Sequence, residues 1–190
     1  MRITAGLHRG RKLVSPEGRN TRPTGDRARE SVFNVLRHGK WCAGVLEGAT
    51  VLDAFAGTGA LGLEALSQGA ASAVFMEKDR AAAAICRENV TQLKETDHAR
   101  VLVCDATLPP VRDAGVKPAT LVFLDPPYAL GLGEKALISL TNGGWLAPDA
   151  VCVLEMSKKS PEVIPPDFTI VDTRTYGIAQ VQFMVWRGGR

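Results

Sequence analysis

An α/β fold on a mostly parallel sheet follows from two patterns in this 190-residue chain. After Gly48, short apolar runs alternate with helical stretches, and each run is nearly continuously apolar, as in strands covered on both faces. At the end the alternation stops: the last two apolar runs are joined by residues 174–179 alone, too short for a crossover helix, so an antiparallel hairpin is expected to finish the sheet.

Taken in order, residues 1–20 read as a basic arm or hairpin and 21–190 as one domain. In the arm, Ile3-Thr4-Ala5-Gly6 faces Lys12-Leu13-Val14 across Arg9-Gly10-Arg11, and Pro16-Glu17-Gly18 makes a turn. Asp26 is placed to cap a helix in which Ala28, Val32, Phe33 and Leu36 share one face, ending near His38-Gly39. There follow a strand at 51–55, a helix at 60–68 closed by Gly69, a strand at 73–77 and a helix at 80–93. A strand at 101–104 leads through a polar, proline-rich link to a strand at 121–124, a helix around 134–140 and a strand at 151–155. Strands at 168–173 and 180–186 complete the hairpin, and no internal repeat is visible.

Composition narrows the class. A chain with 45% hydrophobic and 23% charged residues has the makings of a full globular core. No apolar run approaches the roughly 18 residues of a membrane span, and Met1–Gly6 has no secretory apolar segment, so a cytoplasmic protein is expected. Cys42, Cys86, Cys104 and Cys152 are widely spaced with no Cys-x-x-Cys pair, which argues for reduced thiols and against a metal site. No surplus apolar helix face is evident, so a monomer is expected.

The charge is unevenly spread. Residues 1–40 carry ten Lys/Arg against Glu17, Asp26 and Glu30, a net +7 within a chain whose total is +3. A basic arm on a mildly acidic body is the pattern of a protein that meets a polyanion along one edge.

Two motifs carry chemistry. Asp53-Ala54-Phe55-Ala56-Gly57-Thr58-Gly59-Ala60-Leu61-Gly62 holds Gly-x-Gly-x-x-Gly between a strand and a helix, and Glu77 ends the next strand. This Rossmann-like pattern fits a dinucleotide or an S-adenosylmethionine site, since both need close backbone approach and an acidic residue for ribose hydroxyls. Three features favour S-adenosylmethionine. Asp53, before the glycines, suits an amino-acid ammonium or its waters better than a pyrophosphate. Asp105, after the third strand, can accept from an adenine amine. The third feature is Asp125-Pro126-Pro127-Tyr128, which has no evident role in hydride transfer.

In that second motif two prolines stiffen the turn and remove two donors, leaving the Asp125 carboxylate and the Pro126 carbonyl as acceptors for the protons of an exocyclic amine. Tyr128 can lie against the ring that carries the amine, a contact worth roughly 1–3 kcal/mol for a stacked base. A base paired in a helix cannot reach such a turn, so the target must be single-stranded, looped or flipped out.

The combination resembles class I methyltransferases that act on amino groups. More narrowly, Arg22-Pro23-Thr24-x-Asp26-Arg27-x-Arg29-Glu30-x-x-Phe33-Asn34, the glycine loop through Leu66 and Asp125–Tyr128 look like the RsmD family, which methylates N2 of a guanine in 16S rRNA. The likeness runs from Arg9-Gly10-Arg11 to Tyr176-Gly177; Thr58, where the family often has serine, is a mild departure. It implies cofactor contacts from Asp53, Gly57 and Gly59, ribose binding at Glu77 beside Lys78, and adenine binding by Asp105 with the Ala106 backbone. It further implies that Thr24 and the Phe33 region flank the methionine end, that Asp125–Tyr128 serves the acceptor base, and that the substrate is an assembled ribosomal particle. Arg9, Arg11, Lys12, Arg19, Arg22 and Arg27 are the candidate phosphate contacts. Adenine also carries an exocyclic amine, so a DNA or RNA adenine-N6 methyltransferase and a non-catalytic RNA-binding module on this scaffold stay open.

Overall fold

The computed structural model describes residues 1–16, 23–42, 44–128 and 130–188, with residues 23–27 described by their backbone alone. Arg19, Arg22 and the turn through Glu17-Gly18 lie outside the described residues, as do the side chains of Thr24, Asp26 and Arg27.

Within those residues, seven strands form one sheet in the order β3-β2-β1-β4-β5-β7-β6. The elements are α1 (Pro23–His38), β1 (Thr50–Asp53), α2 (Ala60–Ser67), β2 (Ser72–Met76), α3 (Arg80–Leu93), β3 (Ala99–Leu102), β4 (Ala119–Leu124), α4 (Leu132–Asn142), β5 (Leu146–Ser157), β6 (Phe168–Tyr176) and β7 (Ala179–Trp186). Strands β1 to β5 pair in parallel, and β7 pairs antiparallel with both β5 and β6. The mostly parallel sheet with a closing hairpin is therefore as the apolar pattern predicts.

Side-chain alternation divides the core into two layers. Val51, Phe75, Leu121, Phe123, Val153 and Phe183 point to the face covered by α1, α2 and α3. Leu52, Met76, Val122, Leu124, Leu154 and Met184 point to the other, where α4 contributes Ala136, Leu137 and Leu140. Because β1, β2, β4 and residues 150–154 of β5 are buried on both sides, their sequences run apolar without a polar beat, whereas β6 is largely exposed and mixes in polar residues.

Four local expectations need correction. The first helix starts at Pro23, so Asp26 lies inside it and not at its cap; proline's fixed φ suits a first turn, where its missing N–H costs nothing. The arm pairs Met1–Ile3, not residues 3–6, with residues 11–13: Ile3 N–H donates to the Arg11 carbonyl (2.9 Å) and Leu13 N–H to that of Met1 (3.1 Å). Thr4 and Ala5 instead turn their N–H groups to the buried Glu64 carboxylate at 2.8 and 3.0 Å. Strand β5 is longer than its apolar run, since its register on β4 jumps from Leu146 to Val151 across a bulge containing Pro148 and Asp149, the latter at φ 58°. The final hairpin is tighter than expected, with β6 and β7 separated only by Gly177 and Ile178 and Gly177 at φ 63°.

The arm is bound to the body by packing and by a buried polar knot. Ile3 and Leu13 join the core under α1 and α2. Glu64, fully buried, accepts from Thr4 Oγ1 at 2.7 Å and faces Arg29 Nε at 3.5 Å, while Arg29 Nη2 donates to the Arg2 carbonyl at 2.6 Å. A buried carboxylate survives only with such partners.

Candidate active site

The strand order reverses between β1 and β4, and there the carboxyl ends of neighbouring strands leave a crevice. Asp53 stands beside Phe123 in register, so the glycine loop leaving β1 and the Asp-Pro-Pro-Tyr turn leaving β4 flank one opening.

The glycine loop is held by backbone needs that side chains meet. Gly57 lies at φ 53° and Gly59 at φ 83°, a region that disfavours other residues. A Cβ on Gly59 would meet Cys86 Sγ at 2.7 Å and one on Gly62 would meet the Phe75 ring at 2.3 Å, whereas one on Gly57 would meet nothing within 4 Å. Gly59 and Gly62 thus let α2 close on the sheet, and Gly57 borders open space. Asp53 Oδ2 accepts from Gly62 N–H at 3.0 Å, and Glu77 Oε2 accepts from Gly57 N–H at 2.8 Å. Asn89 donates to the Thr58 carbonyl at 2.9 Å and accepts from Val14 N–H at 2.7 Å, so α3 joins the loop to the arm.

Two adjoining cavities open there. One, of about 860 Å³, is lined by Glu77, Lys78, Ile85, Cys104, Asp105 and Pro126 among others. The other, of about 600 Å³, lies between the loop, α1 and the β6–β7 turn, with Val32, Arg29, Tyr176 and Ile178 on its walls. Phe55, Gly57, Asp125, Tyr128 and Glu155 line both. Volumes of this size match small-molecule sites of about 300–1,000 Å³.

The acidic groups differ in their surroundings. Asp53 lines neither cavity; it is 1% exposed, and burial pushes its carboxyl up to about 7, offset in part by the Gly62 hydrogen bond. Asp105 Oδ1 accepts from Thr107 Oγ1 at 2.7 Å and from its N–H at 2.8 Å, which holds the carboxyl below its ordinary value; Oδ2 faces Lys78 Nζ at 3.8 Å. Enclosure by the cavity walls, with the Glu155 and Asp53 carboxylates nearby, pushes the Asp125 carboxyl up. Its side chain still meets solvent at the cavity mouth, which tempers that push.

A match to a family model covers residues 1–185; that family is described as "Conserved hypothetical protein 95". The chain belongs to this family. Its likeness to the RsmD family also holds across curated relatives. One from Haemophilus influenzae, named Ribosomal RNA small subunit methyltransferase D, is 36% identical over 94% of this chain and 90% of its own length. Its namesake from Escherichia coli is 43% identical over 82% of this chain and 74% of its own. Among solved structures, "Putative methyltransferase yhhF from Escherichia coli" superposes with a TM-score of 0.83 at 37% identity, covering 100% of this chain and 99% of that one.

Within this family member, the structure brings most of the sequence-predicted residues to the crevice. Gly57, Glu77, Lys78, Asp105 and Asp125–Tyr128 all line the larger cavity; Gly59 and the buried Ala106 support it from behind. Phe33 is core, 2% exposed, its ring 5.5 Å from that of Phe123 and tilted 36° to it. The hairpin tip lies away from the opening. Leu7 N–H donates to the carbonyl of Ser67, the last residue of α2, and Arg11 reaches the Gln92 carbonyl near the end of α3. At about 1.5 Å per residue, Gln92 is roughly 18 Å along its helix from Arg80. Arg9 shares that tip, while Lys12 sits halfway, paired with Arg2.

Glu155 is the functional candidate that motif reading misses. It closes an apolar run, as Asp53 and Glu77 close theirs, and register alone puts it next to Asp125: Leu124 pairs with Leu154, so the following residues are neighbours. Asn89 left a similar sign, a polar residue on the buried stripe of Cys86, Val90 and Leu93.

Proposed function

We propose that the protein transfers a methyl group from S-adenosylmethionine to the exocyclic N2 amine of a guanine in 16S rRNA of the small ribosomal subunit. The observation that carries this reading is the juxtaposition at one switch point of a glycine loop bordering open space and a rigid Asp125-Pro126 acceptor pair, both lining one cavity. The names of the curated relatives support the substrate class.

The larger cavity offers acceptors suited to S-adenosylmethionine. Glu77 spends one lone pair of each oxygen on the N–H groups of Gly57 and Asp79 and keeps others for ribose hydroxyls. Asp105, fixed by Thr107, can accept an adenine amine through Oδ2 beside the Ala106 backbone, with Lys78 at the rim. Asp53 acts from behind, holding Gly62 and so the shape of the loop; Thr24 belongs to the methionine end. When bound, the cofactor supplies a methyl group on a sulfonium, already strongly electrophilic.

The protein's remaining task is alignment of a poor nucleophile. The guanine N2 lone pair is delocalised into the ring; accepting its two protons at Asp125 and the Pro126 carbonyl favours a pyramidal nitrogen whose lone pair faces the cofactor cavity. Tyr128 holds the ring. Orientation and acceptors placed where positive charge develops account for the rate gain, and Asp125 or water takes the proton lost after transfer.

Incubation with labelled S-adenosylmethionine and small subunits lacking the modification, followed by mapping of the labelled nucleotide, tests this. Label at guanine N2 is expected. Label on adenine or on DNA would favour the adenine-N6 alternative, and no label at all would favour a non-catalytic RNA-binding module.

A further inference from the structure

The reading above gives Asp125 and Pro126 to the two protons of the amine and leaves Glu155 without a part. Yet Glu155 stands beside Asp125 at the carboxyl end of β4, lines both cavities and accepts a hydrogen bond from the Tyr128 hydroxyl through Oε1 at 2.5 Å. Among the described residues no hydrogen bond occupies its second oxygen, Oε2. A carboxylate only accepts, and the atom next to the amine decides which base it suits. On guanine the neighbour of N2 is N1–H, a donor. On adenine the neighbour of N6 is a bare N1, whose lone pair would oppose the carboxylate.

We propose that Glu155 is a specificity-determining residue: Oε2 accepts N1–H of the target guanine while Oε1 holds the Tyr128 hydroxyl, so the carboxylates at 125 and 155 together read the guanine edge and reject adenine. This rests on the guanine-amine reading and sharpens it. It also accounts for two acidic groups being kept side by side in a protein that meets a polyanion: each has a donor of the same base to satisfy. A hydrogen bond to a charged group is worth enough to give about 10- to 100-fold discrimination when its partner is missing.

The experiment compares small-subunit RNA carrying guanine or 2-aminopurine at the methylated position. 2-Aminopurine keeps the N2 amine but has a bare N1. For the wild-type protein, kcat/KM should fall about 10- to 100-fold from guanine to 2-aminopurine. Glu155→Gln can still accept the Tyr128 hydroxyl but offers an N–H to a bare N1, so it should lower guanine methylation and narrow the guanine to 2-aminopurine ratio at least 10-fold. The loss of O6 in 2-aminopurine is common to both proteins, so the change in ratio isolates the N1 contact. Tyr128→Phe, which removes the hydroxyl but not the carboxylate, should leave the ratio unchanged. If Glu155→Gln lowers both substrates by one factor, or if the wild type uses both equally, Glu155 merely anchors Tyr128 and the proposal falls. If the wild type fails even on the guanine substrate, the proposed function falls with it.

Discussion

The turns that follow β1 and β4 sit side by side and are built on opposite principles. The glycine loop is shaped from behind: Asp53 holds Gly62, Glu77 holds Gly57, and Gly59 and Gly62 are pressed against Cys86 and Phe75. The Asp125–Tyr128 turn is shaped by its own covalent chain, two prolines in succession, and stands at the mouth with Pro126 buried and Asp125, Pro127 and Tyr128 exposed. One should therefore fail through folding and the other through chemistry alone.

The largest expected effect breaks the second turn. Asp125→Ala should lower methyl transfer by about 100- to 1,000-fold, the usual loss for a missing charge-stabilising group, with the melting temperature preserved. Removing a carboxylate crowded by Glu155 and Asp53 costs the fold nothing at neutral pH. Steady-state kinetics beside thermal melts check this; a protein that melts early would show the turn to be structural after all.

Asp53 is the reverse case, a charged residue that no ligand cavity touches. Its carboxyl, ordinarily at 3.8, is pushed to about 7 by burial. The native state thus holds a proton that the unfolded chain has released, and linkage fixes the sign: stability is full below about pH 4, declines as pH rises toward 7 and is level above. The decline amounts to at most about 4 kcal/mol. Asp53→Asn, which keeps an acceptor for Gly62, should flatten most of it in urea unfolding at pH 5 and pH 8. An unchanged slope would assign the titration elsewhere.

Smaller, but still in the folding class, is Gly62→Ala. A Cβ 2.3 Å from the Phe75 ring overpacks the joint between α2 and β2, at about 1–3 kcal/mol. Stability and cofactor affinity should fall together, whereas Asp125→Ala separates activity from both. Calorimetric titration with S-adenosylmethionine alongside melting would expose any decoupling.

The same contrast explains what the sequence discloses. Motifs made of neighbouring residues are legible: the glycine loop and the proline turn are each contiguous, and both stand at one crevice. Glu155 and Asn89 act across the sheet, so their roles exist only once β4 is aligned with β5 and α3 lies under the arm. Arg29 and Glu64 look like ordinary surface charges in sequence and become a buried pair because Thr4 and Ala5 fold over them. The basic arm misleads most, for charge count carries no address: the arginines at its tip are pinned beside the far ends of α2 and α3.

That address sets the smallest prediction. Arg11 is held near the end of α3, roughly 10 Å along the helix from Ile85 of the cavity wall, and neither Arg9 nor Arg11 lines a cavity, so any contact they make is with phosphates of a large RNA passing over the arm. Replacing both by Ala should leave kcat unchanged and raise KM for the small subunit a few-fold at moderate salt. The log–log dependence of affinity on salt should become shallower by about one unit per lost phosphate contact. Lys12, midway along the hairpin beside Arg2, should behave in the same way. An unaltered salt slope would remove the tip from the RNA interface and leave its charge a solvated end, while a fall in kcat would mean that the arm transmits binding to the loop, to which Val14 is joined through Asn89.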